Sequence, residues 1–359
     1  MEYTVKQGDT LAKVANQFGI RPFDLLLFNS HLTSEIDYIY PGQLLHIPAR
    51  TDNQNAAGSS WEEYGPSDLE KDIPFFRSMG ARVEVIGYSV MKKPIYAIVI
   101  GSGKKSIFYS AGWHANEWHT TKFLVQFLRE CLAAGHKNKK MYGYDVAKWL
   151  KEVKLFAVPL VNPDGIELVM QGIYDKHPHY DEVLKINKGM NRFEHWSSNI
   201  RGVDLNHQWP AGWEREADES PQMPWSRHYS GTAPLTEPEA KAVHRLTLRN
   251  TFSYVLAFHS QGQVIYWGYR GYEPKESEDM VKRLSLASSY TPVHTADSDG
   301  GYKDWFIQET GRPGFTIEVG VGVNPLSNHS YAEIWSNAVM LALEGLTLHT
   351  LYNEKSRLP

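Results

Sequence analysis

The sequence is short of cysteine, of basic clusters and of long apolar runs. A single Cys131 among 359 residues excludes an internal disulfide and any metal site built from thiolates. It falls in the pattern Phe123, Leu124, Phe127, Leu128, Cys131, Leu132 and is expected to pack in a core. Lys and Arg number 37 against 41 Asp and Glu, a net charge of −4. No basic block exists, so nucleic acid and anionic membrane are poor partners. No run of about 18 apolar residues is present to span a bilayer. The opening Met1-Glu-Tyr-Thr-Val-Lys-Gln-Gly-Asp9 has no apolar stretch of the signal-peptide kind. With the lone cysteine, this predicts synthesis into a reducing cytoplasm. There is no internal repeat.

Aromatic residues are plentiful, 11 Trp and 20 Tyr, and the length suits one large domain with a small one. Residues 1–49 read as the small unit. Tyr3-Thr-Val5 is a short strand, and Asp9 is the expected N-cap of a helix whose face is Leu11, Val14, Ala15 and Phe18. A second helix opens at Pro22 and buries Phe23, Leu26 and Leu27. Pro41-Gly42 turns into a closing strand, Leu44–Ile47. Residues 50–61 are small and polar and read as a linker. Residues 62–359 alternate strands and helices, an α/β rhythm. Strands are expected at 82–86, 95–100, 106–110, 154–158, 253–258, 264–267 and 314–317, a capping box at Thr236-x-x-Glu239, and a closing helix over 332–351. Residues 174–235 have little periodicity, and so long an irregular stretch in a compact domain is usually functional.

Chemistry concentrates at His114-Ala-Asn-Glu117, just past the 106–110 strand. An imidazole and a carboxylate three residues apart can reach one cation, and a second histidine completes a catalytic zinc set with a position left for water. With 15 His in 359 residues, the spacing arises about once by chance, and a second copy, His179-Tyr-Asp-Glu182, stands in the irregular region. Context favours the first, because open α/β sheets place their sites at strand ends. His259, at the end of an apolar strand, is the favoured third ligand, and His207 is its competitor. Glu318 interrupts an apolar strand, where a carboxylate is costly without a task. It is the candidate base, or else the partner of Arg312.

The opening Tyr-Thr-Val-x-x-Gly-Asp-Thr-Leu, Asn29 and Pro41-Gly-Gln-Leu44 resemble the LysM module, which implies binding of N-acetylglucosamine-containing glycan. His114-x-x-Glu117, Asn162-Pro-Asp-Gly165, Gly202-Val-Asp-Leu-Asn206, Phe258-His-Ser260, Asp304-Trp305 and Thr316-x-Glu318 fall in the order of the zinc metallocarboxypeptidases and resemble that carboxypeptidase A-like family. The resemblance implies a mixed, mostly parallel eight-stranded sheet with flanking helices. It also implies one Zn2+ per chain on His114, Glu117 and His259, with Glu318 as general base. The chain departs from the family's pattern where arginines are expected: Asn116, Ser197 and His207 stand there. The tyrosine that covers the family's site aligns with Ala296, with Tyr290 or Tyr302 as substitutes. Gly202–Ala211, Pro234–Glu239, His259–Gly268 and Gly300–Phe306 are similar to the bacterial γ-D-glutamyl-L-diamino acid peptidases. That similarity implies hydrolysis of peptidoglycan stem peptides at the meso-diaminopimelate bond, at the cell wall or spore of a sporulating bacterium. A substrate so rich in carboxylates calls for polar and cationic contacts, and Asn206, His207, Arg201, Lys303, Tyr302 and Arg192 are the candidates. Two other functions fit the sequence: a carboxypeptidase of ordinary peptides and a non-catalytic peptidoglycan-binding protein.

Overall fold

The computed structural model describes residues 2–6, 9–18, 25, 29, 32, 39–47, 63–295 and 298–351. The chain divides into two compact units, 1–62 and 63–359. No helix among the described residues is long and apolar enough to cross a membrane. The 50–61 stretch and the second helix expected from Pro22 lie outside the described residues.

In the first unit, β1 (Glu2–Thr4) and β2 (Leu44–His46) pair antiparallel, Tyr3 opposite Leu45. They enclose a core with Val14 and Ala15 of the helix Leu11–Phe18. Asn29 is buried and holds this unit together: its amide donates to the carbonyls of Leu25 and His46 at 2.7 and 2.9 Å, and its oxygen accepts from His46 N at 2.7 Å. The N-cap is Thr10, whose hydroxyl accepts from Lys13 N at 3.2 Å. Asp9 instead takes Lys6 N and the Tyr3 hydroxyl, each at 2.7 Å, so the local turn outcompetes the cap.

The second unit is built on eight strands: β3 (Arg82–Tyr88), β4 (Pro94–Ile100), β5 (Lys105–Ser110), β6 (Val153–Val158), β7 (Phe252–His259), β8 (Val264–Tyr266), β9 (Thr291–Val293) and β10 (Gly314–Glu318). Their order is β3-β4-β6-β5-β7-β10-β8-β9. β6, β5, β7 and β10 run parallel, as do β8 and β9, and the other pairs are antiparallel. This is the expected mixed, mostly parallel sheet.

All eight residues of β7 are buried, as a strand covered on both faces must be. Alternate residues serve opposite cores. Tyr109, Tyr254, Leu256 and Phe258 face the helices Trp118–His136, Glu276–Ser288 and Tyr331–Gly345. Phe108, Val255 and Ala257 face the helices Pro238–Arg249 and Tyr302–Thr310.

Two further expectations changed, both in the second unit. The last helix ends at Gly345 rather than 351, because the core captures its final carbonyls: Tyr109 donates to Ala342 O at 2.9 Å and Tyr254 to Gly345 O at 2.6 Å. The capping box at Thr236 does not form. Thr236 donates to Gln208 Oε1, and Glu239 reaches back to Val90 N at 3.1 Å.

Candidate metal centre

β5, β7 and β10 are adjacent and parallel, so their C-terminal ends share one edge of the sheet. That edge is where such sheets open a crevice. His259 ends β7 opposite Glu318, which ends β10. After Ser110 the chain bends at Gly112, whose φ of +63° is left-handed. A Cβ there would lie 2.4 Å from Thr121 Oγ1, so the bend needs glycine. It brings His114 over the sheet and sets Glu117 at the start of the helix Trp118–His136.

Three candidate ligand residues converge. His114 Nδ1 lies 2.8 Å from Glu117 Oε1 and 3.3 Å from His259 Nδ1, and His259 Nδ1 lies 3.3 Å from Glu117 Oε2. Tetrahedral zinc with bonds of ~2.1 Å sets its ligand atoms roughly 3.4 Å apart. Glu117 Oε2 is buried without a hydrogen-bond partner among the described residues, which is what a carboxylate awaiting a cation shows. The residues fit zinc.

Electrostatics point the same way. Burial disfavours charge on His114, but the carboxylates of Glu117 and Asp204 outweigh it and hold the imidazole well above its ordinary pKa. Burial pushes Glu117 up, and His114 and His259 overcome it, so its pKa falls. Desolvation lowers His259. Glu318 is raised, first by desolvation and then by the charge of Glu117. Arg312 does not pair with it: the guanidinium donates to Phe252 O at 3.1 Å.

Several supporting residues carried no role in the sequence reading. Asp204 Oδ1 lies 3.2 Å from His114 Nε2 and fixes the imidazole with Nδ1 toward the cation, the familiar carboxylate–histidine arrangement. It stood in the Gly202–Asn206 motif, and its position was the available signal. Asn324 donates to Ser260 O at 2.7 Å and lies 3.4 Å from Glu117 Oε1; nothing in the sequence marks it. Trp113, fully buried, stacks with His259 and Tyr302 at centroid distances of 6.2 and 5.3 Å, giving the ligands a rigid aromatic floor.

The other sequence candidates divide. His179 and Glu182 do meet, at 2.7 Å, as expected on the surface. They sit at the start of a short helix, Tyr180–Ile186, rather than in a loop, and the two clusters among the described residues whose side chains could hold a metal do not include them. His207, on the 3-10 turn Leu205–His207 with Asn206, joins Asp204 and His228 in the second of those groups, not the first. Asn206 Oδ1 accepts from Tyr302 N at 3.2 Å.

Four candidates are corrected. The Tyr302 ring is sealed in the core with its hydroxyl 3.1 Å from Thr247 Oγ1, so it offers the site only its backbone. Tyr290 is likewise buried, and Ala296 lies outside the described residues. The Lys303 ammonium donates to Gly268 O at 2.8 Å and pairs with Asp304, so its charge is neutralised inside the protein. Arg192 is turned to Glu194, at 2.8 Å. Arg201 is exposed, 3.5 Å from Glu237.

The zinc carboxypeptidase family model matches residues 77–336, and the LysM domain model matches 3–48. The chain is 45% identical over 263 residues to gamma-D-glutamyl-L-diamino acid endopeptidase 1 of Lysinibacillus sphaericus, a match covering 73% of this chain and 66% of that protein. It is 37% identical over 300 residues to the uncharacterized protein YqgT of Bacillus subtilis (strain 168), covering 81% and 80%. Among solved structures, thrombin-activatable fibrinolysis inhibitor aligns with a TM-score of 0.64 at 19% identity, over 83% of this chain and 80% of that one; at that identity the likeness is one of fold. With a zinc-fitting donor set at the strand ends and a family match over most of the second unit, the chain belongs to the zinc carboxypeptidase family, and it carries a LysM domain ahead of the peptidase domain.

Proposed function

We propose that this chain hydrolyses the γ-D-glutamyl–L-diamino acid bond of peptidoglycan stem peptides, with His114, Glu117 and His259 as zinc ligands and Glu318 as the general base. The LysM domain binds N-acetylglucosamine-containing glycan and brings the peptidase domain to the cell wall or spore. The observation that carries the substrate is the strong likeness to an endopeptidase named for this bond. The altered surroundings agree with it. Asn116 and Ser197, where the family's arginines stand, are buried, and Asn116 is committed to Glu194 O. A fixed guanidinium clamp for an ordinary C-terminus is therefore missing.

Zinc, when bound, polarises the scissile carbonyl and acidifies a water. Glu318 faces the ligands from β10, takes the water's proton and delivers it to the departing diaminopimelate amine. A carboxylate whose pKa is already raised is suited to that exchange near neutral pH. Asp204 holds His114, and Asn324 steadies the loop beside Glu117. Asn206, His207 and Arg201 contact the polar groups of the substrate.

The test is hydrolysis of L-Ala-γ-D-Glu-meso-diaminopimelate. Glu318→Gln is expected to keep its zinc and lose about 10²- to 10⁴-fold in kcat. Undiminished turnover would sink the mechanism, and cleavage of ordinary peptides in preference to this one would sink the substrate.

A further inference from the structure

Glu117, Asp204 and Glu318 surround the metal position with three carboxylates. The substrate proposed above brings carboxylates of its own into these surroundings. Positive or hydrogen-donating groups must offset the repulsion. Lys303 is neutralised in the interior and Arg192 is turned to Glu194, which leaves Arg201, half-exposed and 3.5 Å from Glu237, as the one guanidinium among these candidates. Two imidazoles stand beside Asp204: His207, whose Nδ1 lies 3.1 Å from Glu216 Oε1, and the exposed His228. Their rings are 5.6 Å apart, and each offers a nitrogen within 4.8 Å of the Asp204 carboxylate and of the other.

His228 is placed there at a conformational cost. Its φ is +64°, a left-handed backbone that a non-glycine residue holds only when its surroundings fix it. They do so here. Its own N–H donates to Asp204 Oδ2 at 3.2 Å, the carboxylate whose other oxygen orients His114. On one side of it, Ser197 N and Ser198 N both donate to Ser226 O, at 2.9 and 3.1 Å; on the other, Asp204 N donates to Tyr229 O at 2.8 Å. An exposed imidazole is thus clamped to the residue behind the first metal ligand, with the exposed Arg227 beside it.

Two imidazoles and a carboxylate are also a donor set for a transition metal. Asp204 argues against that use, because Oδ1 already faces His114 Nε2 and accepts from Asn206 N, and Oδ2 accepts from His228 N. What the pair of histidines has to offer is N–H donors, which suit an anion.

We propose that His228, together with His207, binds a carboxylate of the substrate beside the scissile amide, making His228 a specificity-determining residue. This rests on the peptidoglycan-peptide reading above. The carboxylate belongs either to the γ-linked D-glutamate or to diaminopimelate, and the test separates them. Three tripeptides are compared: L-Ala-γ-D-Glu-meso-diaminopimelate, the same with the glutamate α-carboxyl amidated, and the same with the diaminopimelate carboxyls amidated. Wild type is expected to favour the free acid over one amidated form by about ten- to a hundredfold in kcat/KM, mostly through KM. In His228→Phe that ratio collapses toward one, while His228→Lys restores part of it. The amidated form concerned identifies the carboxylate. Calorimetric titration of the free acid into zinc-loaded Glu318→Gln and Glu318→Gln/His228→Phe proteins reads the same loss as affinity.

An equal fall on all three peptides, or a ratio unchanged in His228→Phe, overturns the inference alone. So does metal analysis showing two zinc ions in wild type and one in the variant. Failure of wild type to cleave any of the three overturns the underlying reading, and the inference with it.

Discussion

At His114, protons compete with zinc. Burial disfavours its charge, but Glu117 and Asp204 outweigh that and raise its pKa well above the ordinary imidazole value. Metal ligands bind deprotonated, and zinc binding therefore releases protons. Calorimetry in two buffers of different ionisation enthalpy should show release of about one proton or more near pH 7, and affinity should fall as pH falls. A binding enthalpy independent of buffer would contradict this. A second residue-scale effect lies outside the site. Glu239 is fully buried, its Oε2 has no hydrogen-bond partner among the described residues, and desolvation pushes its pKa up to about 8. The folded chain keeps this proton while the unfolded chain loses it in the ordinary carboxyl range. Stability is thus full below that range, declines as pH rises through about 8, and is level above. The loss is on the order of a few kcal/mol. Glu239→Gln should flatten this slope, read as Tm at acid and alkaline pH; an unaltered slope assigns it to another group.

At the scale of elements, the site depends on how strand ends are terminated. β5 leaves the sheet through Gly112, where a side chain meets both a left-handed φ and Thr121 Oγ1 at 2.4 Å. Gly189 is a fair control, since its φ is +78° and a Cβ there meets nothing within 4 Å. Gly189→Ala should cost about 1 kcal/mol of backbone strain and leave zinc content intact. Gly112→Ala should cost more and lower zinc occupancy, because the bend that delivers His114 must shift. Equal zinc content in the two variants would show that the bend does not set ligand position. Elements also explain what sequence patterns misjudged. Helix periodicity ran past Gly345, but it could not reveal that the Tyr109 and Tyr254 hydroxyls would take the terminal carbonyls. The Thr236-x-x-Glu239 pattern suited a cap, but both side chains found better partners far away in sequence, Gln208 and Val90.

At the scale of the whole molecule, the chain joins two compact units with separate cores. Deleting residues 1–62 is expected to weaken retention on insoluble peptidoglycan and to spare hydrolysis of the small tripeptide. A pull-down on purified sacculi and a tripeptide assay check both, and unchanged retention would remove the tether from the account. Much of this was legible in the sequence. Strand periodicity, the apolar run of β7 and the glycine turns specify the sheet, because burial on two faces leaves little choice of residue. The ligand residues and Glu318 were readable as strand-end chemistry, since a carboxylate in an apolar strand needs a reason. What the sequence by itself determined was therefore the architecture, and it offered His114, Glu117, His259 and Glu318 as candidates for the site. The tertiary structure alone decided which polar groups are available. It sealed Tyr302 in the core and neutralised Lys303 against Asp304. It also brought His228 beside His207 through a left-handed bend pinned on Asp204. Availability depends on partners distant along the chain, and no local pattern encodes the distance between an ammonium and the carboxylate that neutralises it.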